Sequence, residues 1–138
     1  MTAVDGSIHH IDLTASDLGR STAFYDRVLP AMGFRRGRDF EGTPIWAGEG
    51  LEIGLQPGRA ASRAAHDRYS PGLHHLAFHA PSREAVDRLH DELRRLGVEV
   101  LDQPAEYPHY AAAGYYAVFF ADPDGVKLEY VYTPRWPA

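Results

Sequence analysis

The feature that most constrains the fold is an internal repeat, because one order of signals occurs twice along the chain. Each copy opens with a pair of histidines, at His9–His10 and again at His74–His75. Seven residues after the second histidine comes a residue suited to begin a helix, Asp17 in the first copy and Ser82 in the second. The side-chain oxygen of either type can accept hydrogen bonds from the first helical turn. The repeat therefore predicts two modules of the same kind.

A helix is predicted after the N-cap in each copy. In the first copy, apolar residues at helical spacing run from Leu18 to Met32, and Pro30 is expected to distort or end the last turn. The second copy has the more regular apolar spacing. Gly33 and Gly97 follow the two helices, at the place where a left-handed residue commonly ends a helix.

Extended segments separated by turns follow each helix. In the first copy, Gly48–Gly50 is typical of a hairpin turn. In the second copy, the sequence Asp-Pro-Asp-Gly at positions 122–125 separates two β-rich runs, Tyr115–Phe120 and Val126–Tyr132. Both copies therefore predict the order β-α-β-β-β.

Length and composition limit how these modules can be used. A chain of 138 residues has room for one domain, since compact domains usually contain about 100–200 residues. We expect a single domain over residues 1–138, with module one at about 7–56, a linker at about 57–71 and module two at about 72–132.

Charge and residue usage exclude several function classes. The net charge of −5 argues against nucleic acid as a partner. No apolar run approaches the roughly 20 residues that span a bilayer, and the start lacks a signal-peptide core, so we expect a cytoplasmic protein with no membrane partner. The chain has no cysteine, which leaves His, Asp and Glu as the side chains that could hold a metal.

Period-two alternation separates the two faces of the predicted strands. In the first strand Ile11 and Leu13 share the apolar face that should meet the helix. The alternate residues, His10, Asp12 and Thr14, share the opposite face. Nitrogen and oxygen ligands on that second face suit Ni²⁺, Co²⁺, Mn²⁺, Fe²⁺ or Zn²⁺, with positions left for water or substrate. Four such residues occupy matching places in the two copies and would converge if a curved sheet wrapped around a cavity: His10, Glu52, His75 and Glu129.

The chain resembles the vicinal oxygen chelate superfamily, which includes glyoxalases, bleomycin-resistance proteins, thiol transferases and extradiol dioxygenases. Three segments carry the resemblance: HHIDLTASDLGRSTAFYDRVLPAMGF, GLHHLAFHAPSREAVDRLHDELRRLGVEV and FFADPDGVKLEYVY. It implies an α+β fold of two paired βαβββ modules, in which a curved mixed sheet surrounds a metal-binding cavity. It also implies a homodimer, His10, His75 and Glu129 as metal ligands, and Glu52 as the fourth ligand found in glyoxalase I.

Glyoxalase I-like lyase or isomerase chemistry is the preferred reading of this resemblance. It implies a divalent metal ion, a small substrate with adjacent oxygens, and Glu129 or Glu52 as proton carrier, with Glu129 preferred. A thiol cosubstrate is also expected. The alternatives are a thiol transferase or an extradiol dioxygenase of the same superfamily, for which three ligands suffice, and a protein that binds a drug or metabolite without catalysis.

Further residues are candidates for the substrate pocket or its surroundings. Asp12 lies two residues along the first strand from His10. An aromatic segment in the second module could line the mouth of the cavity or secure a long loop to the sheet. The alternation places His9 and His74 with the helix-facing residues, so we interpret both as structural or edge residues. The candidate pocket residues are Asp12, Tyr110, Tyr115 and Tyr116.

Overall fold

A computed structural model of the protein describes residues 5–59, 64–109 and 113–134. The chain divides into two compact units, Met1–Ala64 and Ala65–Ala138. The boundary falls inside the linker expected at about 57–71. His66 nevertheless belongs with the second unit, since its backbone N–H donates to Asp124 O at 2.9 Å. The single domain over 1–138 stays a prediction.

The first unit contains one four-stranded sheet and one helix. Its outer strand β1 is parallel to β4, and the remaining pairs are antiparallel, so that the strand order is β1-β4-β3-β2. The elements in chain order are β1 (His10–Ala15), α1 (Leu18–Ala31), β2 (Arg35–Arg36), β3 (Ile45–Ala47) and β4 (Glu52–Pro57).

The second unit has the same plan. Its sheet order is β5-β8-β7-β6, again with the outer strand β5 parallel to β8 and the other pairs antiparallel. The predicted β-α-β-β-β order of both copies is confirmed, as is the α+β fold class. The elements are β5 (Leu76–His79), α2 (Arg83–Arg95), β6 (Val100–Glu106), β7 (Tyr116–Ala121) and β8 (Lys127–Tyr132).

Both helices begin where the sequence predicts. The Asp17 carboxylate accepts a hydrogen bond from Arg20 N at 2.9 Å, and the Ser82 hydroxyl accepts one from Ala85 N at 3.1 Å. These bonds satisfy N–H groups that have no partner inside the helix. The equal spacing from the histidine pairs therefore has a local cause, which is a strand followed by a capped helix in each copy.

The helix ends and the turns also agree with the sequence. Pro30 is tolerated in the last turn of α1, which ends one residue later at Ala31. Gly33 and Gly97 both have positive φ, 94° and 70°, which glycine adopts without steric cost. Gly125 closes the turn before β8 with φ 84°.

The apolar side of each sheet packs against its own helix, as alternation predicts. The second sheet additionally buries part of its other face. There Ala117, Phe119 and Val131 form a small apolar cluster, against which Tyr107 and Tyr115 pack. Such burial contributes roughly 1.5–3 kcal/mol for each large side chain. Among the described residues, no helix is both long and apolar enough to cross a membrane.

Candidate functional site

In the second unit, one predicted ligand pair is brought into direct contact. His75 lies immediately before β5, and its Nε2 is 3.1 Å from Oε1 of Glu129 on β8. The Tyr115 hydroxyl donates to the other carboxylate oxygen, Oε2. Glu129 is only 1% exposed. A buried carboxylate is costly unless it is hydrogen-bonded or paired with positive charge, so these two contacts explain how the fold accommodates it.

Each candidate histidine ligand also contacts the histidine that precedes it. The Nδ1 atoms of His74 and His75 are 2.8 Å apart, and those of His9 and His10 are 3.0 Å apart. One nitrogen in each pair must carry the proton and donate it to the other. For His75 this leaves Nε2, which already points at Glu129, as the ring atom that could bind a metal.

These contacts revise the interpretation of the first histidine in each pair. The assignment of His9 to the helix-facing side is wrong, because β1 begins only at His10 and His9 lines the same pocket as His10. His74 likewise precedes β5 and lies exposed beside His75. The exact repetition of the His-His pair at both sites was the sequence signal for this shared arrangement. Partial desolvation, and then the neighbouring His75, lower the pKa of His74 below its ordinary value.

In the first unit, the corresponding pair lies on adjacent strands. His10 and Glu52 are register partners across the parallel pair β1 and β4. Glu52 is half-buried, and it lines a pocket of about 290 Å³ on the sheet. The register does not give the two carboxylates matching positions, because Glu52 lies opposite His10 whereas Glu129 lies opposite Ala77, two residues beyond His75. Their surroundings also differ, since Glu129 is enclosed and held whereas Glu52 faces a cavity. The pocket is lined by His9, His10, Asp12, Phe40, Thr43, Ile45, Glu52, Gly54 and Gln56.

Asp12 is held in this pocket by the strand beside it. Its register partner is Gly54, and a Cβ atom at Gly54 would lie 2.4 Å from Asp12 Oδ1. Gln56 Nε2 lies 3.4 Å from Asp12 Oδ2 and donates to it. The Asp12 carboxylate thus occupies space that a side chain at Gly54 would otherwise fill.

Of the three candidate tyrosines, Tyr115 and Tyr116 make different contacts. Tyr115 contacts Glu129, as described. The Tyr116 hydroxyl donates to Asp87 on α2 at 2.6 Å, and Arg83 stacks 4.1 Å from the centre of its ring. The hydrogen bond to Asp87 is the main cause that raises the pKa of Tyr116. We therefore leave Tyr116 out of the site proposed below. Tyr110 lies outside the described residues.

The donor atoms suit a divalent first-row metal. Two bonds of about 2.1 Å that meet at a right angle separate neighbouring ligand atoms by about 3.0 Å, and the His75 to Glu129 separation is 3.1 Å. That distance is also normal for a hydrogen bond. Within the parts of the chain that the structure describes, no group of three or more His, Cys, Asp or Glu side chains is placed to hold a metal ion. The predicted set of four is divided equally between the units.

Comparison with known proteins gives two similar curated sequences. The uncharacterized protein YqjT of Bacillus subtilis (strain 168) is 33% identical over 125 residues, which cover 90% of this chain and 97% of YqjT. The metallothiol transferase FosB of Lysinibacillus sphaericus (strain C3-41) is 31% identical over 125 residues, covering 90% of this chain and 80% of FosB.

Solved structures show the same fold. A crystal structure of a candidate glyoxalase from Bacillus halodurans has a TM-score of 0.79 and 28% identity, covering 93% of this chain and 96% of that one. Lactoylglutathione lyase from Agrobacterium tumefaciens has a TM-score of 0.69 over 96% of this chain and 98% of its own; at 23% identity this likeness concerns the fold alone. With a family model that matches residues 7–130, the chain belongs to the Glyoxalase/Bleomycin resistance protein/Dioxygenase superfamily.

Proposed function

We propose that the protein is a divalent-metal-dependent enzyme with glyoxalase I-like lyase or isomerase chemistry on a small substrate with adjacent oxygens. The observation that carries the proposal is that each unit pairs one histidine with one glutamate, His10 with Glu52 across adjacent strands and His75 with Glu129 in direct contact. The superfamily includes many metal-dependent enzymes, which supports this use of the four side chains. The proposed ligands of a Ni, Co, Zn, Mn or Fe ion are His10, Glu52, His75 and Glu129.

A bound ion would stabilise negative charge on the oxygens of the substrate. The chain itself must supply a group that moves a proton between the two adjacent carbons. The resemblance favours Glu129 for this role, but the contacts favour Glu52. Both oxygens of Glu129 are engaged, by His75 and Tyr115, whereas Glu52 is half-buried and lines the pocket. We therefore assign proton transfer to a Glu52 carboxylate oxygen and a fixed ligand role to Glu129.

Metal content and turnover of the wild-type protein test this proposal together. Protein purified without chelator is expected to contain about one divalent ion per site. It should also convert the hemithioacetal of methylglyoxal and glutathione when Ni²⁺ or Co²⁺ is supplied. Metal-free protein without turnover would contradict the proposal, and tight binding of a drug or metabolite without metal dependence would favour the non-catalytic alternative.

A thiol transferase is the second candidate, because FosB is 31% identical to the chain over 125 residues. The two reactions differ in whether the enzyme forms a new covalent bond to the thiol sulfur. A transferase joins the thiol sulfur covalently to an electrophilic second substrate, whereas the isomerisation moves a proton within one thiol adduct. Mass spectrometry of products formed from a thiol with either an epoxide or methylglyoxal separates the two candidates. Extradiol dioxygenase chemistry would instead consume oxygen with a catechol.

The assembly and location of the protein also remain predictions. We propose a homodimer with a small-molecule substrate and a thiol cosubstrate, in line with the superfamily, whose members bind small molecules and often thiols. Light scattering after gel filtration measures the dimer directly. The cytoplasmic location and the absence of nucleic-acid and membrane partners stay expectations from the sequence.

Replacing His74 by alanine is expected to weaken metal binding about 10-fold, because His74 engages Nδ1 of the proposed ligand His75. Groups that orient metal ligands in this way typically contribute about 10–100-fold in affinity. Isothermal titration with Ni²⁺ measures the effect, and His74→Asn, which keeps a short hydrogen-bonding side chain, should recover part of it. Equal affinities of wild-type and His74→Ala protein would contradict the positioning role.

A further inference from the structure

The pocket of the first unit contains a carboxylate, that of Asp12, in addition to the proposed metal ligands. Among the described residues, its lining includes the carboxylates of Asp12 and Glu52 and the imidazoles of His9 and His10, but no lysine or arginine. Glu52 is a proposed ligand, so its charge would be offset by the ion. The described lining offers Asp12 no lysine or arginine, and its two imidazoles, those of His9 and His10, hydrogen-bond to each other. Substrate groups that reach Asp12 therefore meet a hydrogen-bond acceptor with negative charge.

The position of Asp12 is built by the fold. Gly54 is buried, and no other atom lies closer to the place of its missing Cβ than Asp12 Oδ1, at 2.4 Å. The Gln56 amide donates to Oδ2 at 3.4 Å, a long hydrogen bond that leaves Oδ1 for another donor. Asp12 is thus an exposed residue of the lining whose carboxylate lies over a glycine and within hydrogen-bond distance of an amide.

We infer that this pocket binds a substrate whose far end carries a protonated amine, which Asp12 receives. The inference rests on the proposed function, because His10 and Glu52 define where the reacting oxygens lie. Asp12 is two strand residues from His10, a rise of about 6.7 Å. The amine would thus be separated from the adjacent oxygens by about four or five bonds. Carboxylate, phosphate and phosphonate groups at the same end would be repelled.

The aromatic side chain in the lining supports a cation over a neutral donor. Phe40 is 64% exposed and belongs to the same pocket as Asp12. The face of an aromatic ring attracts a nearby cation. A carboxylate and an aromatic ring that line one pocket are the two kinds of side chain that an ammonium group favours.

The first experiment tests the inference without metal. Metal-free protein, labelled with ¹⁵N, is titrated with n-butylammonium and separately with butyrate. We expect butylammonium to shift the amide signals of Gly54 and Gln56, with affinity at least about 10-fold above that of butyrate. The difference should be lost in Asp12→Asn, which keeps the shape, and reduced in Gly54→Ala, which keeps the charge but displaces the carboxylate. Asp91→Asn, which changes net charge equally on the exposed side of α2, should behave as wild type.

The second experiment separates this inference from the proposed function. Ni²⁺-loaded protein is titrated with three hydroxamates that carry an amine, a hydroxyl or a carboxylate at the end of matched chains: 4-aminobutanohydroxamate, 4-hydroxybutanohydroxamate and succinohydroxamate. The amine should bind at least about 10-fold more tightly than the carboxylate. Equal binding of all three, or equal effects of butylammonium and butyrate above, overturns the inference and leaves the metal site intact. Failure of every hydroxamate, with the butylammonium preference retained, overturns the proposed function while the amine site stands.

Discussion

Replacing His75 by alanine is expected to remove the divalent metal from the protein, with a fall in affinity of at least about 100-fold. The reason is geometric, since His75 Nε2 lies 3.1 Å from Glu129 Oε1 and would share the ion with it. Metal content by mass spectrometry and Ni²⁺ affinity by calorimetry measure the effect. His79→Ala is the control, because His79 is an exposed histidine at the end of β5, four residues beyond the half-buried His75.

Glu129→Gln is the companion change at the same pair. Glutamine has the shape of glutamate and can still meet Tyr115, but it lacks the negative charge that a divalent ion requires. Because Glu129 is buried, the neutral side chain should not unfold the protein, and urea unfolding checks this. Full metal content in both His75→Ala and Glu129→Gln would contradict the proposed ligands.

Much of the fold was predictable because the decisive signals are local. An N-cap at Asp17 or Ser82 acts on the next few residues, and a glycine at Gly33 or Gly97 acts on its own φ angle. The duplication strengthens these predictions, because the same local signals occur in the same order in both modules. Alternation correctly predicted which residues of β1 are buried, because a regular strand has a period of two.

The detail of the candidate site was less accessible to sequence reasoning. Alternation does not apply to His9 and His74, which lie before their strands, so their contacts depend on side-chain rotamers. The enclosure of Glu129 depends on Tyr115, a residue from outside the strand β8. Cross-strand register seats Asp12 over Gly54, and register between distant segments requires the folded sheet. Long-range packing therefore decided which of the two predicted glutamate ligands is held.

Replacing Glu52 by glutamine is expected to lower turnover by about 10²–10⁴-fold, the usual contribution of a positioned general base. Most of the bound metal should remain, because His10, His75 and Glu129 would still hold it. Three ligands at the corresponding positions suffice in the three-ligand enzymes that the chain resembles. Glu129→Gln should instead lose the metal, and its turnover should fall because the metal is absent. The measurements are kcat with the methylglyoxal hemithioacetal and metal content for each variant.

The contrast between the two glutamates depends on their surroundings. Glu52 lines a pocket and can reach a substrate, whereas Glu129 has one oxygen toward His75 and the other toward Tyr115. Glu49→Gln, in the exposed turn before β4, is the matched control and should keep full turnover. Tyr115→Phe offers an independent check: if Glu129 were the proton carrier, loss of this hydroxyl should change kcat strongly at full metal content. If Glu52→Gln keeps wild-type turnover while Tyr115→Phe loses it, the proton carrier is Glu129, as the resemblance alone implies.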